Sequence, residues 1–471
     1  MSPSSKSARE IAALALGDRS GNVTAHLERL MGLHPLGPAD RSLARELALG
    51  TLRRQGTVDA VLRAFLAHPD RALPDMLRHI LHVAIYQLLF MERIPQFAAV
   101  NEAVTLVAGS GFAGQRGLVN GILRGLTRAV SGPQKAGPQQ ADGQAPAART
   151  PIATDIIPID GRTFRKVDRK VFPDPSLDPV GYLAAAHSLP RDIARRWIEN
   201  QHSLEAAVEL AYHANARAPM VLRVNKLKGD VQMVRAALAA EGIESVPHAN
   251  GASLVLAEHA NIAQTKAFEQ GLIQPQDPTA TAVSLAADPR PGMRVLDFCA
   301  APGTKTTHIA ELMENRGSIV AADVSPQKLA MIEPNCRRLG ISIVTTRLAP
   351  DVGRLPAASF DLVLVDVPCS NSGVLSRRAE ARWQFEGKHF AQLVRDQRLL
   401  ATAAAGFVKP GGRLVYSTCS IEPEEDSQVA QGLGRQAPAV RLVREQLSLP
   451  AGAEDPSTWR DGGYYAIFEA K

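Results

Sequence analysis

Apolar residues recur at three- and four-residue spacing through residues 7–130: Ile11, Leu14 and Ala15, then Leu43, Leu47 and Leu52, then Leu77, Ile80, Leu81 and Ile85. That spacing places them on one face of successive helices. Prolines and glycines fall mainly between these segments, at Pro35, Gly37 and Pro38, at Pro69 and Pro74, and at Pro95, Gly109 and Gly111. The pattern predicts an all-α unit over 1–130. Residues 131–150, SGPQKAGPQQADGQAPAART, have too few apolar side chains to bury a core. Residues 151–178 are polar and in places basic (RTFRKVDRK). Together 131–178 are expected to form a flexible linker.

The pattern changes twice more. Residues 188–218 look helical, PMVLRVNKLK (219–228) alternates as a strand does, a helix follows over 230–241, and Ser253–Leu256 is a further strand. This predicts a small α+β module over 179–279. From 280 to 471, short apolar runs alternate with helical stretches: MRVLDFCA, SIVAADV, ISIVTTRL, FDLVLVDVP and GRLVYSTCS. Near-continuous apolar strands separated by helices imply a parallel sheet covered on both faces, an α/β fold. The final GGYYAIFEAK is expected to add an antiparallel edge strand.

Composition narrows the class. A chain of 471 residues suits two or three domains. No apolar run approaches the roughly 18 residues of a membrane span, so no membrane partner is expected. The start, MSPSSKSARE, lacks an apolar core after a basic segment, so no secretory leader is expected. The four cysteines are too few for a disulfide framework and contain no CxxC, so neither disulfides nor a metal site is expected. These features point to a cytoplasmic protein with free thiols. The net charge is +6, and residues 1–130 carry fifteen Lys/Arg against ten Asp/Glu. A basic helical unit suits a polyanion, RNA first, against the plainer reading of a solvated basic surface.

In open α/β sheets, ligands bind beyond the carboxyl ends of the strands. Here those ends read Asp297-Phe298-Cys299-Ala300-Ala301-Pro302-Gly303-Thr304-Lys305, then Asp323, then Asp351, then Asp366-Val367-Pro368-Cys369, then Ser417-Thr418-Cys419. One cysteine at such a place reads as a small buried hydrophobe. Two at adjacent strand ends suggest chemistry. The 297–306 loop is not a phosphate loop, because Thr304 separates Gly303 from Lys305 and position 298 is Phe. A strand, a tight turn of small residues and an acidic end to the next strand still form a nucleoside-binding layout. Asp323 can accept hydrogen bonds from ribose hydroxyls, or cap the following helix.

Together DFCAAPGTKTTH, LVDVPCSNSGVL and LVYSTCSIEPEED resemble the S-adenosylmethionine-dependent RNA 5-methylcytosine methyltransferases of the Sun family. ILHVAIYQLLF, IPQFAAVNEAV and GLVNGILRGL resemble the NusB-type RNA-binding helical domain. The fusion of the two is similar to bacterial enzymes that methylate small-subunit ribosomal RNA. PMVLRVNKLK and LIQPQDPTATA look like that family's extension ahead of its catalytic domain. The resemblance implies a Rossmann-like class I methyltransferase domain, S-adenosylmethionine as cofactor and RNA, not DNA, as partner.

It also implies roles. Cys419 would be the nucleophile and Cys369 would assist product release. Cys299, Ala300, Ala301, Pro302, Gly303, Thr304, Lys305, Asp323, Asp351 and Asp366 would surround the cofactor. A thiolate adding to C6 of cytosine makes C5 enamine-like, so C5 can attack a methyl sulfonium. Lys305 is a candidate positive neighbour for the thiol or a positioner of the target nucleotide, and Asp366 a candidate for holding the base edge. Its plainer reading is a solvated lysine at a helix start.

The chain departs from the family pattern at Thr304, where relatives often have Gly, and at Asn371-Ser372 and Ala379, where they often have Gly-Thr and Pro. Arg377, Arg378 and Arg382 are candidates for phosphate contacts, and Glu422, Glu424 and Glu425 for the start of the next helix. Competing readings are the same reaction on tRNA and a non-catalytic RNA-binding factor. The Asp-Val-Pro-Cys turn disfavours an amino-group methyltransferase.

Overall fold

The computed structural model describes residues 6–18, 22–137, 149–258, 260–385 and 387–471, which divide into two compact units. The first comprises residues up to Ala216 together with Arg378–Phe385; the second comprises Arg217–Arg377 and the rest to Lys471.

The first unit begins with helices α1 (Ala8–Ala15), α2 (Val23–Leu33), α3 (Pro38–Arg53), α4 (Gln55–Phe65), α5 (Asp75–Phe90), α6 (Gln96–Gly109) and α7 (Arg116–Ala129). Ser7 and Asn22 cap α1 and α2 through their side chains. The periodic residues Ile11, Ala15, Leu47, Leu77, Leu81 and Ile85 are buried in one core, and α5 is apolar on most of its circumference.

Residues 131–178 are not simply linker. They contain β1 (Gln134–Lys135), β2 (Ile156–Pro158) and β3 (Thr163–Lys166), an antiparallel sheet in the order β1-β3-β2. Ile157, Val167 and Phe172 join the helical core. The basic residues that made this stretch look solvated are part of the reason it folds. Arg165 is buried and donates to Leu89 O (2.8 Å) and Ser131 O (3.1 Å), and Arg54 donates to Pro158 O (3.2 Å). Arg169 lies over the Phe65 ring at 4.1 Å. Within the expected linker, residues 138–148 lie outside the described residues.

The expected boundary at Pro179 also moves. Helices α8 (Pro179–His187), α9 (Arg191–Gln201) and α10 (Leu204–Asn215) belong to the first unit. Thr57 N donates to Ser188 Oγ, and Thr57 Oγ1 donates to Ala186 O, each at 2.9 Å.

The second unit opens with strands β4 (Val221–Val224), β5 (Ser245–Pro247), β6 (Ser253–Leu256) and β7 (Ile273–Pro275), in the antiparallel order β5-β6-β4-β7, with helices α11 (Val231–Ala240) and α12 (Lys266–Glu269). After α13 (Pro278–Ala286) come β8 (Arg294–Asp297), α14 (Thr304–Leu312), β9 (Ser318–Asp323), α15 (Pro326–Leu329), α16 (Ile332–Leu339), β10 (Val344–Leu348) and α17 (Ala349–Val352). Then follow β11 (Phe360–Asp366), α18 (Gly387–Ala405), β12 (Val408–Thr418), α19 (Ser427–Gln436), β13 (Val440–Ser448) and β14 (Gly463–Ala470).

The main sheet has seven strands in the order β10-β9-β8-β11-β12-β14-β13. Strands β8 to β12 are mutually parallel; β14 is antiparallel to both β12 and β13. GGYYAIFEAK is therefore an interior strand rather than the expected edge. The edge is β13, whose residues are largely exposed and whose register on β14 shifts between Leu442 and Arg444. The strand order reverses between β8 and β11, which opens a crevice beyond their carboxyl ends.

Candidate active site

Four neighbouring strands deliver the site. In sheet order their carboxyl ends present Asp323 (β9), Asp297 (β8), Asp366 (β11) and Ser417-Thr418 (β12). Asp366 pairs in register with Ser417, so the loops after β11 and β12 leave the sheet side by side.

The loop after β8 is built by its small residues. Ala300 N donates to Ala322 O (2.8 Å), Ala301 N to Asp323 Oδ2 (3.2 Å) and Gly303 N to Ala300 O (2.7 Å). The Ala301–Pro302 peptide bond is cis. Gly303 has φ +96, in the left-handed region that favours glycine, and a Cβ there would lie 3.1 Å from Ile332. Thr304 begins α14 directly after the N-cap Gly303, and its carbonyl accepts from Arg223 Nη1 at 3.0 Å. Asp323 also accepts from Ser325 N at 3.1 Å, while Ser325 itself caps α15.

Asp297 is buried and accepts from Thr306 Oγ1 at 2.6 Å, but its Oδ1 has no hydrogen-bond partner among the described residues. Burial pushes its carboxyl up to about 7, Thr306 opposing. Burial, with the neighbouring Asp297, Asp366 and Asp323 carboxyls, pushes the Cys299 thiol up strongly.

Lys305 Nζ donates to Asp366 Oδ2 at 2.6 Å, and Ser417 Oγ donates to Asp366 Oδ1 at 2.7 Å. Burial alone would lower the Lys305 ammonium; Asp366 outweighs it and the net direction is upward. The lysine is mostly buried and ion-paired, not a solvated helix-start residue.

The two thiols meet. Cys369 Sγ lies 3.0 Å from Cys419 Sγ, and Cys419 Sγ lies 3.1 Å from Asn371 Oδ1. Cys369 is buried and Cys419 half-buried. The hydrogen bond to Cys419, together with burial, holds the Cys369 thiol well above its ordinary range.

Glu425 ties the two cysteine loops together. It is fully buried and accepts from Ser370 N (2.8 Å), Ser370 Oγ (2.5 Å) and Gln397 Nε2 (2.8 Å). Tyr416 donates to the Glu425 carbonyl at 2.5 Å, and Thr418 donates to Asp426 Oδ1 at 2.6 Å. The acidic stretch therefore does not start the next helix: α19 begins at Ser427, after a buried turn.

Two further expectations change. Arg377 is committed to Asp461 (2.5 Å), Asp277 (3.4 Å) and Pro219 O (3.1 Å). Arg382 is fully buried and donates to Arg53 O, Ser188 O, Asn215 Oδ1 and Ala214 O at 2.8–3.1 Å. Arg382 is not placed to meet a phosphate; Arg377 and Arg378 are exposed. Asp351 follows β10, at the far end of the row of strand ends, and pairs with Arg354 at 3.2 Å; no hydrogen bond joins it to the other site residues among those described.

Asn371, Ser417, Asp297 and Glu425 complete the site. Ser417 and Asp297 were legible as strand-end positions; Asn371 and Glu425 act through contacts 48 and 55 residues distant in sequence, which no local pattern signals.

A seven-stranded, mostly parallel sheet whose crevice holds a small-residue turn and an acidic second-strand end defines a Rossmann-like, S-adenosylmethionine-dependent methyltransferase domain. Residues 284–459 match the family described as 16S rRNA methyltransferase RsmB/F, residues 6–128 the NusB family, and residues 190–263 the ferredoxin-like domain of RsmF/B-like methyltransferases. The chain is 30% identical over 415 residues to the probable ribosomal RNA small subunit methyltransferase B of Bacillus subtilis, covering 88% of this chain and 84% of that one. It is 30% identical over 439 residues to the ribosomal RNA small subunit methyltransferase B of Erwinia tasmaniensis, covering 92% and 91%. The crystal structure of PH0851 shares the fold over 99% of both chains, with TM-score 0.72 and 23% identity. The chain belongs to the RsmB/F methyltransferase family.

Proposed function

We propose that the chain methylates C5 of a cytosine in RNA, with small-subunit ribosomal RNA as substrate, through a covalent cysteine adduct. The observation that carries this reading is the thiol pair, 3.0 Å apart at the ends of adjacent strands and beside the Lys305–Asp366 pair. The names of the curated relatives support the choice of ribosomal RNA, and the match to the NusB family supports an RNA partner.

The residues present fit S-adenosylmethionine. Residues 299–305 form a close-packed turn, Asp323 offers a carboxylate at the end of the second strand, and Asp297 Oδ1 is a buried acceptor without a partner among the described residues. We assign these residues and Asp366 to the cofactor, with Asp351 completing the row after β10. When bound, the cofactor supplies an electrophilic methyl carbon.

The protein's own residues do the rest. The target base leaves its stack to reach the crevice. Cys419, the more accessible thiol, adds to C6 as a thiolate and makes C5 nucleophilic. Cys369 stays protonated beside it, since its thiol is held well above the ordinary range. Lys305 and Asp366, fixed against each other, orient the base edge. After methyl transfer the C5 proton passes to solvent, its bonding electrons re-form the C5–C6 double bond, and Cys419 leaves C6 with the pair of the broken C–S bond; Cys369, still protonated 3.0 Å away, assists by giving a hydrogen bond to the departing thiolate.

The test uses purified protein, labelled S-adenosylmethionine, and small-subunit ribosomal RNA and tRNA that lack the modification. Cys369→Ala is expected to accumulate a covalent protein–RNA adduct on denaturing gels, and Cys419→Ala to form none and transfer no methyl group. Methyl transfer to cytosine that survives in Cys419→Ala would refute the mechanism. Transfer to tRNA alone would refute the substrate.

A further inference from the structure

We propose that Asn371 is a positioning residue for Cys419, holding its thiol in the protonated form and so setting the pH range over which it becomes a thiolate. The proposal rests on the reading of Cys419 as the nucleophile.

The amide is locked in one orientation. Asn371 Nδ2 donates to Cys369 O at 3.0 Å, which turns Oδ1 toward Cys419 Sγ at 3.1 Å. Rotating the amide would place two oxygens against each other. An amide oxygen only accepts, so it stabilises the S–H form and gains nothing from the thiolate. Cys369 then completes a ring: its thiol meets Cys419, Cys419 meets the Asn371 oxygen, and the Asn371 amino group meets the Cys369 carbonyl.

The turn holding Asn371 is pinned to the Cys419 loop on both sides. Gly373 N donates to Cys419 O at 3.1 Å, and Ile421 N donates to Ser372 Oγ at 3.0 Å. Asn371 has φ +62, a conformation Asn and Gly tolerate best.

The other groups that act around this thiol pair are Lys305 on α14 paired with Asp366, Tyr416 on β12, and Glu425 and Asp426 after β12. Lys305 supplies the positive charge of this set, and burial holds the Asp426 carboxyl well above its ordinary range.

The experiment follows alkylation of Cys419 by iodoacetamide in the full chain from pH 6 to 10. Peptide mass spectrometry separates labelling at Cys419 from labelling at Cys369, and methyl-transfer rates are measured at the same pH values. Asn371→Gly suits the backbone at this position and removes the acceptor. It is expected to move the labelling profile to lower pH and raise the rate at neutral pH by about three- to tenfold. Asn371→Asp places a carboxylate beside the thiol and is expected to move the profile to higher pH, slowing neutral labelling by at least about threefold. The acid limb of the methyl-transfer profile is expected to move in the same two directions. A merely structural role would lower both variants' rates without moving either profile. Superimposable profiles, or shifts in the same direction for both substitutions, would overturn the proposal. If the opposite labelling shifts appear while Cys419→Ala still transfers methyl groups, control of the thiol stands and the assignment of Cys419 as nucleophile falls.

Discussion

Glu425 offers the sharpest test of how the two cysteine loops are held. Its carboxylate is fully buried and receives three donors: the Ser370 amide, the Ser370 hydroxyl and the Gln397 side chain. Ser370 directly follows Cys369, and Glu425 lies six residues after Cys419. A hydrogen bond to a charged group nets about 1.5–3 kcal/mol, and three sharing one acceptor are not additive. Removing one side of a buried charged network costs about 3–5 kcal/mol. Glu425→Ala is therefore expected to destabilise the second unit by about 3–5 kcal/mol, since it leaves the half-buried Ser370 amide without its acceptor. Glu425→Gln keeps the shape but turns an amino group toward the donors, and is expected to cost about 1–2 kcal/mol. Hydrogen exchange of β12 amides, read by peptide mass spectrometry, reports on this unit directly. Exchange through opening should accelerate roughly 10²- to 10⁴-fold in the Ala variant, and much less in the Gln variant. Methyl transfer should fall in the same order. If Glu425→Ala changes β12 exchange by less than about twofold, Glu425 does not hold the loops as argued.

Two further outcomes follow from buried groups. Arg382→Ala should destabilise the first unit by about 3–5 kcal/mol, because four acceptors lose one guanidinium; Arg382→Lys should recover only part of this. Hydrogen exchange of α10 reads the effect, and unchanged exchange in Arg382→Ala would refute the anchor. Asp297 titrates near 7 in the folded protein, above the ordinary 3.8, so its stabilising contribution is complete below pH 3.8 and is lost as pH rises through 7. Between pH 5 and 8 the ligand-free wild type should lose about 2–3 kcal/mol that Asp297→Asn does not lose. Denaturant melts of both proteins check this, and parallel pH curves would refute it.

The catalytic half was legible because its chemistry sits where local pattern is strongest. Each apolar run from β8 to β12 ends at a residue that reaches the crevice or its margin, so period and turn composition located Asp297, Asp323, Asp366 and Cys419 together. The hairpin at 156–166 was not legible. Its folding depends on Arg165 and Arg54 finding backbone carbonyls 76 and 104 residues away, and such arginines look solvated in a sequence. Arg382 misled for the same reason. Glu425 followed an acidic run that suits a helix start, and only its contact with Ser370 shows otherwise. Strand β13 escaped because the irregularity between Leu442 and Arg444 breaks the alternation of its apolar residues.

Residues Arg378–Phe385 carry one more consequence. They follow the Cys369 loop in sequence yet fold as part of the helical unit, where Arg382 and Trp383 bond to groups on α3, Ser188, Ala214 and Asn215. The chain is therefore not two cassettes joined end to end. A cut after Ala216 would leave eight residues of the helical unit on the other fragment, with a guanidinium stripped of its acceptors. Exchanging the N-terminal part between relatives by a single crossover would do the same. Any such exchange needs two further junctions, at Arg377 and after Phe385, so the helical unit and this short segment are expected to be inherited together.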